Sequence, residues 1–233
     1  MRAASDELPQ GDAKVAAVRE MFDTIAPRYD LVNRIMTFRM DVGWRRKAVA
    51  SLGLPARSLV LDLAAGTGDL CRDLDAAGYS PLAIDLSLGM LRHARTSAPR
   101  IQADALRLPL PDGSAAGAVS GFALRNFADL QGFFVELARV VRPGGRVALL
   151  DVAEPTNPIL KAGHGVYFGR VVPLIGGLLS DPGAYRYLPK SVAYLPMPAV
   201  MLDRLRAAGF EEVERRLLSA GITQLITARR GEG

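Results

Sequence analysis

The sequence predicts an α/β fold, a mostly parallel sheet of five strands closed by an antiparallel hairpin, with a helical cap before it and an apolar insertion after the fifth strand. Three observations carry that reading. Short apolar runs alternate with helical patterns from Ser58 to Asp151, as parallel strands and their crossover helices do. The first run, Leu59 to Leu63, breaks into a glycine turn, Ala64-Ala65-Gly66-Thr67-Gly68, directly before a helix. The last two runs, Glu211 to Ser219 and Gly221 to Arg229, are joined at Ala220-Gly221, a link too short for a parallel crossover.

Met1 to Gly11 is small and polar and reads as a frayed tail. From Asp12, the residues Val15, Val18, Met21, Phe22 and Ile25 recur at helical spacing up to Pro27. Two short helices follow, one on Tyr29, Leu31, Val32, Ile35, Met36 and Phe38, the other on Trp44, Ala48, Val49 and Leu52. Residues 12–52 therefore make a cap that precedes the first strand and lies over the cleft. Tyr29 and Asp30 are its most functional-looking polar residues, although Tyr29 reads equally as a core aromatic with a satisfied hydroxyl.

Residues 53–153 make the core. Leu59, Val60, Leu61 and Leu63 flank Asp62 in a buried strand, and Gly66 and Gly68 let a ligand lie close against the turn. The third small residue of a dinucleotide fingerprint is missing, because Cys71 stands there, and Asp69 in the first helical turn would repel a pyrophosphate. Acids at 62 and 69 suit a cation instead, such as the sulfonium and ammonium of S-adenosylmethionine; the alternative is a structural turn with Asp69 as a helix-dipole partner.

After a helix over Gly68 to Ala77, Pro81 to Asp85 is the second strand. Asp85, 19 residues beyond Gly66, stands where a carboxylate accepts both hydroxyls of an adenosine ribose, or else it caps the next helix. Ser87 to Thr96 is helical and Arg100 to Ala103 the third strand, after which Asp104 and Ala105 suit the amino group and ring of adenine, or a plain turn. Ala116 to Phe122, the fourth strand, delivers Arg125 and Asn126 to the carboxyl edge where such sheets bind ligands. A helix from Asp129 to Val141 stops at Arg142-Pro143-Gly144-Gly145, and Arg146 to Asp151 is the fifth strand.

Residues 154–196 interrupt the alternation with Tyr167, Phe168, Val171, Ile175, Tyr185, Tyr187 and Tyr194, an apolar lid or substrate pocket, with a dimer surface or satellite core as alternatives. His164 in this stretch is a base candidate or an incidental loop residue. Residues 197–230 close the chain as a helix, Met197 to Ala208, and the hairpin.

Composition narrows the function classes. The net charge of +5 gathers in arginine clusters such as Arg45-Arg46-Lys47, which suit an anionic membrane surface or are simply solvated, and no nucleic-acid module is present. One cysteine and two histidines make neither a disulfide nor a zinc site, so no metal is expected and the compartment reads as reducing. The longest apolar run, Val171 to Leu179, falls short of the ~20 residues of a spanning helix, so the chain is expected to be cytoplasmic, at most peripheral to a membrane.

The segment FDTIAPRYDLVNRIMTFRMDVGWRR, the turn VLDLAAGTGDL, the run ALRNFAD and the block RVVRPGGRVALLDVAEP together resemble the quinone-biosynthesis C-methyltransferases, a class I family that uses S-adenosylmethionine. The resemblance spans Met21 to Thr227 and implies a Rossmann-like seven-stranded sheet. It implies that Thr67, Asp85, Asp104 and Ala105 contact the cofactor, beside the turn residues Asp62, Gly66 and Gly68. A serine contact of the family falls on Gly121, and a family histidine has no counterpart in Gly221-Ile222-Thr223-Gln224.

The catalytic residues so implied are Arg125, stabilising a phenolate, Tyr29, orienting a hydroxyl or water, and Asn126; a salt bridge from Arg125 to a strand-end Asp is the alternative. The expected acceptor is a prenylated quinol, demethylmenaquinol going to menaquinol, with peripheral membrane association and a homodimer as the further partners considered. Another phenolic or natural-product acceptor, or a non-catalytic cofactor-binding scaffold in a quinone-synthesis complex, are the competing functions.

Overall fold

The computed structural model describes residues 10–155, 157–167, 170, 174 and 191–232. Seven strands form one sheet: β1 (Leu59–Leu63), β2 (Ser80–Asp85), β3 (Arg100–Gln102), β4 (Ala115–Gly121), β5 (Val141–Val152), β6 (Phe210–Leu218) and β7 (Thr223–Arg230). Their order is β3-β2-β1-β4-β5-β7-β6. The first five pair in parallel, while β7 is inserted antiparallel between β5 and β6, as the short link required.

Strand period two divides the core into two layers. Val147 and Leu149 of β5 face a layer built on Phe133, Phe134 and Leu137, from helix Leu130–Val140, and on Met201 and Leu205, from helix Pro198–Ala207. Ala148 and Leu150 face the opposite layer, where Trp44, Ala48, Val49 and Leu52 pack with Leu70 and Leu74. Each fully buried Phe or Leu contributes about 1.5–3 kcal/mol, so both faces are secured by burial alone. In chain order the helices are α1 (Gly11–Ile25), α2 (Tyr29–Met36), α3 (Met40–Leu52), α4 (Asp69–Ala76), α5 (Leu88–His93), α6 (Leu130–Val140), α7 (Pro158–Val166) and α8 (Pro198–Ala207).

Two boundaries differ from expectation. Helix α5 ends at His93 rather than Thr96, because the Arg95 amide donates to the Thr67 carbonyl at 2.9 Å and draws the chain under the glycine turn. Strand β5 begins at Val141, not Arg146: Val141 pairs with Ala115, and the register shifts before Gly117 meets Arg146. Gly145 makes that shift feasible, since a Cβ there would lie 2.5 Å from Val141 Cγ1 and 2.7 Å from the Ala116 carbonyl.

The cap lies over the carboxyl edge of the sheet. Near one end of α1, Lys14 Nζ donates to the Phe127 carbonyl at 2.8 Å and sits 3.5 Å from the Tyr194 ring centroid. Near the other end, Asp23 Oδ1 accepts the Ser87 hydroxyl at 2.6 Å and the Gly89 amide at 2.8 Å. Of the expected insertion, Phe168, Val171, Ile175, Tyr185 and Tyr187 lie outside the described residues, as does the His164 side chain. Among the described residues no helix is long and apolar enough to cross a membrane, and no group of three or more metal-ligating side chains occurs.

Candidate functional site

Two cavities meet at the carboxyl ends of the parallel strands. Gly66, Asp85, Asp104, Ala105, Gly121 and Asn126 line the first, with Val18, Phe22 and Tyr29 of the cap closing it. The second, about 390 Å³, is walled mainly by apolar groups from α2, α3, α7 and the hairpin, with Arg125, Asn33 and Thr223 among its polar members. Phe22, Tyr29 and Phe122 belong to both linings, so the cavities share a wall.

The first cleft is shaped by the turn after β1. Gly66 and Gly68 take φ of 55° and 81°, which favour glycine. A Cβ on Gly68 would also stand 2.6 Å from Thr96 Cγ2. Asp85, at the end of β2, holds the turn: its Oδ2 accepts the Gly66 amide at 2.8 Å and its Oδ1 the Ser87 amide at 2.7 Å. Burial pushes its carboxyl up, and the amides of Ser87 and Gly66 pull it back. Asp104 closes an Asx turn by accepting the Leu106 amide at 2.9 Å, with Ala105 buried beside it.

Asp62, Thr67 and Gly68 are not among the lining residues. Asp62 is wholly buried behind the turn, accepting the Cys71 amide at 3.1 Å through Oδ2, while Oδ1 has no partner among the described residues. Thr67 donates its hydroxyl to Asp30 of the cap. Asp69, expected to attract a cation, pairs instead with Arg45, at 3.1 Å, and with Arg72. Its charge is met by the protein, which corrects that expectation.

Arg125 lies 7 % exposed in the wall of the second cavity. Its Nη1 donates to Asp151 Oδ1 at 2.5 Å and to the Phe122 carbonyl at 2.7 Å, and its Nε to Ser191 Oγ at 3.1 Å. The backbone amide of Arg125 completes the pair on Asp151 Oδ2 at 3.3 Å. The strand-end salt bridge is therefore the observed arrangement. Asn126, on the first cleft, has a buried Oδ1 with no partner among the described residues. Tyr29 stands between the cavities with its ring edge-on to Phe22 at 6.1 Å.

Sequence reading passed over Lys14 and Asp23, and met Asp151 only as the unnamed strand-end Asp of the alternative for Arg125. Asp151 carried a signal, an acid closing an apolar strand, but nothing in spacing tells which cation it meets. Burial lowers the Lys14 ammonium to about 8.

Burial also raises the Asp62 carboxyl from 3.8 to about 7, against the pull of Cys71. The fold favours its neutral form, so the native state loses stability as pH rises from about 4 through about 7. Asp62→Asn is neutral throughout. Thermal unfolding of the two proteins is expected to converge at low pH and to separate, in favour of the variant, by on the order of a few kcal/mol at pH 8. A gap independent of pH means that the Asp62 carboxyl titrates alike in the folded and the unfolded chain, and that burial does not raise it.

The comparisons with known proteins fit this geometry. The model of the ubiE/COQ5 methyltransferase family matches residues 10–230. A demethylmenaquinone methyltransferase of Roseiflexus castenholzii is 40% identical over 230 residues, 94% of this chain and 96% of that protein. A ubiquinone/menaquinone biosynthesis C-methyltransferase UbiE of Syntrophotalea carbinolica is 40% identical over 222 residues, 91% of this chain and 93% of that one. Among solved structures, a SAM-dependent methyltransferase of Thermotoga maritima, 18% identical, aligns with a TM-score of 0.65 over 91% of this chain and 99% of its own, and shares the fold.

Proposed function

The chain belongs to the ubiE/COQ5 methyltransferase family and is an S-adenosylmethionine-dependent methyltransferase of quinone biosynthesis; we propose that its acceptor is a ring carbon of demethylmenaquinol. The observation that carries this reading is the shared wall: a cleft with acids at two strand ends adjoins an apolar cavity of about 390 Å³ across Phe22, Tyr29 and Phe122. A nucleoside with a cationic side arm suits the first, and a flat quinol the second.

The residues present fit the cofactor. Asp85 would hold its ribose, Asp104 and Ala105 its adenine, and Gly66 and Gly121 leave room at the floor. The buried Asn126 Oδ1, which lines the cleft and has no partner among the described residues, matches a ligand rich in donors. When bound, the cofactor supplies an electrophilic methyl group. The protein then has two tasks: to hold the acceptor carbon in line and to exclude water. Phe22, Phe122 and Trp44 supply the dry walls. The carbon becomes nucleophilic when the neighbouring hydroxyl is deprotonated. Tyr29, at the junction, orients that hydroxyl, and the fixed positive charge of Arg125 favours the phenolate. A prenylated acceptor resides in lipid, so we place the enzyme at a membrane surface.

The test is methyl transfer from labelled S-adenosylmethionine to a short-chain demethylmenaquinol, with and without reductant. Product only under reduction supports the reading. Cofactor binding without product turns the search to other phenolic acceptors or to a non-catalytic scaffold. A second measurement needs no turnover. Trp44 is the only tryptophan of the chain, 6 % exposed and on the cavity wall. Titration with a short-chain naphthoquinone is expected to quench its emission saturably, whereas a linear, unsaturating loss would place the ring outside the cavity.

A further inference from the structure

The second cavity opens beside a surface that the catalytic reading leaves unused. On α2, Leu31 and Ile35 are 52% and 38% exposed, one helical turn apart, while Val32 between them is fully buried. The stripe continues to Phe38, 69% exposed, and Met40, 38% exposed, both of which line the cavity. A second wall of the same opening adds Leu160 of α7 at 46%. Five large apolar side chains thus stand in water around one mouth, more than scattered surface leucines require.

The charges around the stripe have one sign. From Pro27 to Lys47 the exposed ionisable residues are Arg28, Arg34, Arg39, Arg46 and Lys47. The two acids of that stretch turn inward: Asp30 accepts the Thr67 hydroxyl, and Asp41, 1% exposed, accepts from Thr37 and Arg45. On the helical wheel of α2 Arg34 lies about 60° to one side of Leu31, and Arg28 directly precedes the helix at the same end as Leu31. An apolar ridge bordered by cations matches the interface of an anionic bilayer, with side chains in the acyl boundary and guanidinium groups at the phosphates.

We propose that the α2 stripe and Phe38 dock on an anionic lipid surface, so that the mouth of the second cavity faces the bilayer and its acceptor enters without crossing water. The proposal rests on the prenylated-quinol reading for its purpose, but its test does not use the reaction. The full chain is sedimented with vesicles of phosphatidylcholine alone and of phosphatidylcholine with phosphatidylglycerol. Binding is expected with the anionic vesicles only, weakening as salt is raised.

The double variant Leu31→Asp/Ile35→Asp, on exposed positions outside both cavity linings, is expected to bind at least about tenfold more weakly. It should keep its cofactor affinity and its activity on a short-chain quinol in water, while losing activity on a long-chain quinol held in the vesicles. Equal vesicle binding by the variant and the parent overturns the proposal. So does a parent that ignores vesicles but forms a dimer, by light scattering, that the variant dissolves; the stripe then joins two copies. If vesicle binding behaves as expected and no quinol is methylated, the docking surface stands and the acceptor assignment falls.

Discussion

Arg125→Ala is expected to cost the chain its fold before it reveals anything about catalysis. Asp151 is 0% exposed, and the Arg125 guanidinium is the cation that meets it. Truncating Arg125 leaves that carboxylate, among the described residues, with only the amides of Arg125 and Val152. Removing one partner of a buried pair costs about 3–5 kcal/mol, a large part of the roughly 5–15 kcal/mol that holds a domain together. Denaturant unfolding should show the midpoint falling accordingly. The double variant Arg125→Met/Asp151→Leu should recover most of the loss, because an apolar pair of similar volume leaves no charge stranded. An Arg125→Ala protein of parental stability but without activity would give the guanidinium a direct part in the reaction.

Asp85→Ala is expected to abolish useful affinity for S-adenosylmethionine while leaving the fold standing. The carboxylate accepts the amides of Gly66 and Ser87, and it lines the cleft. Hydrogen bonds to a charged acceptor are worth about 1.5–3 kcal/mol each, so losing the anchor of the turn and the contact to the ligand weakens binding at least about 100-fold. Asp85→Asn keeps the shape but sets an amide group against one of two backbone donors, and should fall between. Calorimetry on the three proteins checks the order. Unchanged affinity in the alanine variant removes Asp85 from the cofactor's hold.

The sheet was legible because its signals are local. Leu59 to Leu63 followed by a glycine turn marks β1, and the Ala220-Gly221 link dictates an antiparallel ending; both are properties of a few neighbouring residues. Where tertiary contacts decided the outcome, spacing was silent. The end of α5 depends on the Thr67 carbonyl, and the start of β5 on a pairing with Ala115, neither visible from within its own segment. The same holds for the site. Gly66, Asp85, Asp104 and Asn126 were named because strand ends collect ligand-facing residues, and the structure brings them to one cleft. Asp69 was misread for want of its partners, since Arg45 is 24 residues upstream and nothing in the turn announces it.

Hydrogen bonds run from the floor of the first cleft to its roof: the Gly66 and Ser87 amides both donate to Asp85, and the Ser87 hydroxyl donates to Asp23 of α1. Floor and roof are thus one mechanical piece. A ligand that stiffens the carboxylate of Asp85 stiffens the helix above it, and a helix lifted to release that ligand must first loosen the acid that gripped it. If Asp85 holds the cofactor as proposed, cofactor exchange and the seating of the N-terminal helix are coupled through three side chains rather than through the packing of the core.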